Sequence, residues 1–260
     1  MSAKKFILPM IPLAGFFILW QILAVKGILQ PGIFSAPTSI LRQMLALWHE
    51  HVNGRSVLLG NLLITLERLF FASMLGILAG IVAGFFMGLS QSFYRFLDPL
   101  ITIIMPIPGI AMAPLFIIWM GFGNATIITV GAIATFFPVA YNACTGVRST
   151  DYRLVQAAYI MGANRRTVLT HVYGPWSAVY VFTGIKLGLA RCWRTVIAVE
   201  FIAAVNQGLG YMIWDAASYM RSTIVFGGII LTALIFTSIE KGMIRPLERV
   251  TIEKWGMVRN

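Results

Sequence analysis

The sequence predicts an all-α protein that crosses a membrane five or six times, and three observations carry that prediction. Of its 260 residues, 58% are hydrophobic and only 11% are charged. Soluble domains are usually about 25% charged. Charge this sparse cannot cover a water-soluble globule, and a chain this apolar cannot be disordered. Several apolar runs reach the roughly 20 residues that a membrane-crossing helix needs. Six such runs use about 120 residues and leave roughly 140 for loops, tails and one larger connection. The third observation is the excess of 20 Lys and Arg over 9 Asp and Glu. In a soluble protein it would suggest nucleic acid. In a membrane protein it marks cytoplasmic loops, so no nucleic-acid partner is expected.

The elements follow in order. Met1 to Lys5 is short and basic, and Phe6 to Val25 has no charge. That run is long for a signal-peptide core, which favours an uncleaved first span. Pro9 and Pro12 sit near its start, where proline does least damage. Lys26 to Val57 is too polar to cross, and Ser39 to Trp48 fits a short amphipathic helix on the membrane surface. Residues 1–57 thus form a first span with an external connection, ahead of a core at 58–245.

Leu58 to Gly88 is the second span. Gly76, Gly80, Ala83, Gly84 and Gly88 recur along it, and such spacing lets helices approach closely. Ser90 to Asp98 reads as a short loop. Pro99 to Met120 is apolar but carries Pro106, Pro108, Gly109 and Pro114. A regular helix cannot pass smoothly through them. Broken helices are tolerated at membrane depth where they are buried or line a cavity, so this segment is either a pathway wall or a kinked packing helix. Gly121 to Ala125 is a tight turn and Thr126 to Val147 the fourth span. Arg148 to Tyr173 is polar, and Pro175 to Ala204 is the fifth span. Val205 to Arg221 reads as a loop, Ser222 to Ile239 as the sixth span, and Glu240 to Asn260 is charged, with 246–260 as a cytoplasmic tail.

With the N-terminus inside, inside segments hold twelve Lys and Arg, outside segments four, and spans the other four. That asymmetry puts both termini in the cytoplasm. Cys144 and Cys192 lie in apolar stretches, the pattern of free core cysteines and not of a disulfide framework. His49, His51 and His171 share no metal-ligand spacing with Cys or acids. Trp20, Trp48, Trp119, Trp214 and Trp255 mostly flank spans, as an interfacial belt does.

The fifth span carries Lys186, Arg191, Arg194 and Glu200. Charged residues in spans are costly and usually face a cavity or a partner. At about 100° per residue, Arg191 and Arg194 share one face about 60° apart, whereas Glu200 is half a turn out of phase with Arg191. Two readings stand for the arginines. They line an anion path, where fixed positive charge focuses small anions, or they snorkel toward the cytoplasmic interface. Arg191 lies about 24 Å beyond Pro175 along the helix. Glu200 reads as a buried partner for an arginine, Arg68 being one candidate, or for backbone groups.

The segment from Asp151 to Pro175 is the most informative. It is too polar to cross, yet rich in helix formers, and it fits a short helix, a glycine turn and a second short helix. Gln156-Ala157-Ala158 is followed after three residues by Gly162, and after nine more by Val172, Tyr173 and Gly174-Pro175. This resembles the cytoplasmic loop of the membrane subunits of ATP-binding-cassette (ABC) importers, which carries Glu-Ala-Ala, Gly, Ile and Leu-Pro at the same spacing. Gln156, Val172 and Gly174 depart from that pattern in identity, and Gln156 lacks the charge of the family's glutamate. Asp98-Pro99, Pro106-Ile107-Pro108, Ala113-Pro114-Leu115, Trp119 and Gly121-Phe122-Gly123 are similar to the branch for nitrate, taurine, alkanesulfonates, bicarbonate and some aromatic or vitamin-precursor compounds. So are Trp193, Ala198-Val199-Glu200 and Gly208-Leu209-Gly210. The resemblance covers roughly residues 60–245.

The resemblance implies a type I ABC importer fold in the bacterial cytoplasmic membrane. It also implies two ATPase subunits, a second copy of the permease and an external binding protein that delivers substrate. ATP and Mg would belong to the ATPase, with no cofactor on this chain. Gln156, Ala157, Ala158 and Gly162 would form the coupling helix in loop 148–175, with Arg165 and Arg166 beside it as ATPase contacts or as topological charges. The chain holds no GxxxxGK[ST] phosphate loop, so no ATPase activity of its own is expected. Pro106, Pro108, Arg191, Arg194 and Glu200 are the candidate pathway residues. The expected cargo is a small anion, sulfonate or carboxylate ahead of nitrate or bicarbonate. An ATP-independent transporter or channel is the alternative; such proteins often show internal repeats and ion-coupling acids, and the halves show no repeat. A membrane enzyme would need a catalytic cluster at a membrane face, which the sequence lacks.

Overall fold

Small residues decide how the long apolar helices meet. The computed structural model describes residues 10–246 apart from Pro31, Asn53 and Arg245. Its helices begin with α1 (Met10–Val25) and α2 (Pro37–His49), followed by a two-strand hairpin, β1 (His51–Val52) and β2 (Arg55–Ser56). Then come α3 (Val57–Leu89), α4 (Gln91–Ile104), α5 (Gly109–Met120), α6 (Asn124–Arg148), α7 (Tyr152–Ile160) and α8 (Arg165–Val168). A wider π-helical turn, Leu169–Tyr173, leads into α9 (Gly174–Ala203), and α10 (Leu209–Ser218) and α11 (Ser222–Ile239) follow. The expected charged stretches at 1–5 and 247–260, with Trp255, lie outside the described residues.

Among the described residues, three helices are each long and apolar enough to cross a membrane: Val57–Leu89, Asn124–Arg148 and Ser222–Gly242. The proline-rich third segment is not one helix. α4 and α5 are bent by 105° across residues 105–108, because Pro106 and Pro108 can neither donate a helical N–H nor fit the preceding turn. α9 is 30 residues long but charged, and the apolar part of α1, Ala14–Val25, is shorter. Two sequence expectations are corrected. Ser90–Asp98 is not a loop, because Ser90 caps α4 by accepting from the Phe93 N–H. Val205–Arg221 contains the helix α10, whose apolar face buries Leu209, Met212, Ile213 and Ala216.

The chain divides into two units: Met1–Ile64 with Asn206–Ile235, and Thr65–Val205 with Phe236–Asn260. In the first, α2 and α10 both pack on α11. A Cβ on Gly227 would lie 2.5 Å from Met44 Cε, and one on Gly228 2.5 Å from Ile213 Cγ1. Trp20 packs edge-on against Phe226 at 5.5 Å. The Ser35 hydroxyl bonds those of Ser222 at 2.8 Å and Thr223 at 3.0 Å. The Gly208 N–H donates to Asn61 Oδ1 at 2.8 Å.

In the second unit, the glycine stripe of α3 lies along α6. Cβ atoms on Gly76, Gly80, Gly84 and Gly88 would approach Thr135, Val139, Ala143 and Val147 in that order, all within 2.8 Å. The ascending order makes α3 and α6 parallel, so the bent α4–α5 pair returns the chain between them. α9 packs on α6 in the opposite sense: Gly146 meets Ser177, Gly184 meets Val139, Gly188 meets Thr135, and Gly131 meets Val196. The turns at 90 and 149–151 therefore share one end of the unit, where Arg148 Nη2 donates to Gln91 Oε1 at 2.7 Å. The other end joins 123 to 203 through the Gly123 N–H and the Ala203 carbonyl at 2.7 Å.

Candidate functional site

The break between α4 and α5 opens a cavity of about 380 Å³ in the second unit. Pro106 and Pro108 line it from the break, and Arg191, Arg194 and Thr195 line it from α9. Arg191 and Arg194 reach it together because they share a helix face, as their three-residue spacing requires. Arg191 is half-buried, and its Nη1 donates to the Met105 carbonyl at 3.0 Å. Met105 caps the C-terminal end of α4, where the helix presents partial negative charge. Arg194 is exposed, and its Nε donates to the Ala190 carbonyl of its own helix at 3.1 Å. The wall behind the break is tight: a Cβ on Gly109 would lie 2.4 Å from Thr195 Cγ2. Ile104, Met112, Ile133 and Phe137 supply apolar lining.

Glu200 does not line this cavity. It is fully buried, and its Oε1 accepts from Arg68 Nη1 at 2.7 Å. The Thr65 hydroxyl donates to both carboxylate oxygens, at 2.9 and 3.0 Å. Arg68 Nε donates to Asn124 Oδ1 at 2.8 Å, which brings in the first residue of α6. The cluster thus ties α3, α6 and α9 at the end where 123 meets 203. A charge pair buried this deeply needs such added hydrogen bonds to offset its desolvation. Arg68 was visible in sequence as a partner. Thr65 and Asn124 were not singled out, although Thr65 is one turn before Arg68 and on its face.

The loop at the opposite end is built from local rules. Asp151 caps α7 by accepting from the Arg153 N–H at 2.9 Å. Gly162 ends it with φ of +85°. The Gly162 N–H bonds the Tyr159 carbonyl and the Ala163 N–H bonds the Ala158 carbonyl, both at 3.0 Å. This crossed pair is the Schellman closure, which calls for glycine in the left-handed region. Asn164 then caps α8 through the Thr167 N–H at 2.8 Å. Val155, Ala158 and Val168 form the buried inner face, packed with Ala163, Val172 and Tyr173. Gln156, Ala157, Gly162, Arg165 and Arg166 stay exposed. Ile160 is 87% and Met161 81% exposed, an apolar tip that folding within this chain leaves uncovered. Trp176 Nε1 ties the loop's base to the Ser149 carbonyl at 3.1 Å.

Cys144 and Cys192 are free and buried. Among the described residues, no three His, Cys, Asp or Glu side chains come together in a metal-binding group.

Comparison with known proteins accords with this architecture. Residues 76–240 match the family model described as the binding-protein-dependent transport system inner membrane component. The chain is 33% identical over 237 residues to the taurine transport system permease protein TauC of Escherichia coli K12, covering 91% of this chain and 86% of that protein. It is 29% identical to the putative aliphatic sulfonates transport permease protein SsuC of Bacillus subtilis 168, covering 97% and 87%. Among solved structures, it resembles the inward-facing MetNI methionine ABC transporter with a TM-score of 0.59 and 18% identity, over 73% of this chain and 95% of that one. That likeness establishes the type I importer fold. The family is one of transport permeases and not of enzymes. On the match across its core and the identity along most of its length, the chain belongs to the binding-protein-dependent transport system inner membrane components, the permease subunits of ABC importers.

Proposed function

We propose that this permease forms the translocation pathway for a small organic anion, sulfonate or carboxylate, delivered by an external binding protein and driven by ATP hydrolysis on separate subunits. The observation that carries the proposal is the loop at 148–175. It is a self-capped helix and turn whose outer face, Gln156, Ala157, Gly162, Arg165 and Arg166, stays exposed beside the bare apolar tip at Ile160 and Met161. Such a surface suits a groove on a partner, here one of two ATPase subunits that hold ATP and Mg. Gln156 offers hydrogen bonds where a charge would stand, and Arg165 and Arg166 suit acidic partner residues. A second copy of the permease completes the channel, with residues 58–245 as its core. Pro106, Pro108, Arg191 and Arg194 line the pathway, with Glu200 locked behind it.

The loop end carries Arg95, Arg148, Arg153, Arg165 and Arg166, whereas the opposite turn, 121–125, carries no charge. This asymmetry supports a cytoplasmic loop and cytoplasmic termini in the bacterial inner membrane. The names of TauC and SsuC as taurine and aliphatic sulfonates transport permeases support the choice of anion. The test is co-purification with the cognate ATPase in lipid nanodiscs, followed by ATP hydrolysis with and without the binding protein and a panel of anions. Stimulation by a loaded sulfonate or carboxylate binding protein is the expected result. Failure of the ATPase to associate would overturn the coupling assignment and favour an ATP-independent transporter.

A further inference from the structure

The cavity at the broken helix is lined by two chemically different kinds of residue. Arg191 and Arg194 line it, and no acidic residue does so among the described residues. The two arginines are differently engaged. Arg191 is committed to the Met105 carbonyl, so it covers the negative end of α4 that would otherwise repel an anion. Arg194 commits only Nε, to Ala190. Among the described residues its Nη atoms have no partner, so the two-pronged end of the guanidinium is available to an oxyanion in the bidentate manner arginine favours. Thr195 and the first residues of α5 line the cavity too. A half-helix begins there, with its positive end at the cavity. Ile104, Met112, Ile133 and Phe137 supply apolar wall. The cavity's volume of about 380 Å³ is at the small end of the range for small-molecule sites.

We infer that this cavity is a selectivity site within the permease itself: Arg194 holds the oxyanion head of a short-chain organic anion, the apolar wall takes its tail, and Arg191 is a positioning residue that keeps the break closed on α9. The inference rests on the proposed import of organic anions and deepens it. An inorganic oxyanion of the same head chemistry satisfies only the arginine, because it brings no apolar surface to bury. The permease therefore discriminates by tail as well as by charge.

The test compares Arg194→Ala, Arg194→Lys and Met112→Trp in the full complex with the ATPase and binding protein in proteoliposomes. Uptake of methanesulfonate, ethanesulfonate and butanesulfonate is followed, and ATP hydrolysis is measured alongside. Arg194→Ala is expected to lower ethanesulfonate uptake at least tenfold while the complex still assembles. Arg194→Lys keeps the charge but not the fork, and should lose several-fold. Met112→Trp should lower butanesulfonate uptake at least tenfold more than it lowers methanesulfonate uptake. Uptake by Arg194→Ala within twofold of the unaltered protein, or an unchanged chain-length profile in Met112→Trp, would overturn the site. A second measurement needs no ATPase. Equilibrium binding of labelled ethanesulfonate to the purified permease, competed by unlabelled ethanesulfonate but not by inorganic sulfate and lost in Arg194→Ala, supports the site even where the coupling assignment fails. Competition by sulfate as strong as by ethanesulfonate overturns it.

Discussion

Glu200 is the residue on which burial and charge are most sharply opposed. It is wholly buried, and the Arg68 guanidinium lies 2.7 Å away with both groups shielded from solvent. Removing one member of a buried pair leaves the other uncompensated, which costs about 3–5 kcal/mol. Glu200→Gln is therefore expected to lower the melting temperature of the detergent-solubilised permease markedly. The double variant Arg68→Met, Glu200→Met should recover part of the loss, since well-packed apolar replacements of such pairs are often tolerated. A single variant that melts with the unaltered protein would show that the pair contributes no net stability. The helical spacing already separated Glu200 from Arg191. That Glu200 meets Asn124 through Arg68 depended on α6 beginning beside α3, which spacing along one helix does not contain.

Two elements make opposite use of glycine. In α3, glycine serves close approach: a Cβ on Gly84 would lie 2.5 Å from both the Ala140 carbonyl and Ala143 Cβ, while Gly60 on the same helix has nothing within 4 Å. Gly84→Val should cost about 1–3 kcal/mol through overpacking. Gly60→Ala should be neutral or stabilising, because alanine is the better helix former by about 1 kcal/mol. Thermal unfolding of the two variants side by side checks the contrast. At Gly162 the space is open but φ is +85°. An alanine there costs roughly 1–2 kcal/mol of backbone strain without any clash. Gly162→Leu is expected to leave the spans folded yet reduce stimulation of ATP hydrolysis by the loaded binding protein. Normal stimulation and transport in that variant would remove the coupling role from this turn.

For the whole molecule, the direction of the helices and the distribution of charge make one joint prediction. α3 and α6 run parallel, so the turn at 121–123 and the loop at 152–173 lie at opposite ends of the second unit. Phe122 is exposed, and so is Arg166, and the native cysteines are buried. A cysteine at Phe122 should react with a membrane-impermeant thiol reagent in intact cells from which the outer barrier has been removed. A cysteine at Arg166 should react only after permeabilisation. The reverse pattern would invert the orientation and detach the loop from any cytoplasmic ATPase.

Composition and periodicity determined the fold class of this protein, because apolar runs of membrane length and sparse charge leave a water-soluble alternative no surface. Local chemistry determined the loop as a short helix, a glycine turn and a second helix, because such rules act between neighbours; the Asp151 and Asn164 caps that close it came only with the structure. The break at Pro106 and Pro108 was legible for the same reason, but its consequence was not. Only the tertiary structure decided that the break faces Arg191 and Arg194, that Met105 offers its carbonyl to one of them, and that Ile133 and Phe137 join the lining. Sequence also misread Val205–Arg221, where Gly208 and Gly210 suggested a loop and the apolar face of α10 found cover within its unit. The physical reason is common to these cases. A hydrogen bond or a buried face that joins residues 86 apart, as Arg191 joins Met105, depends on where the intervening helices turn, and that is set by packing of the whole chain.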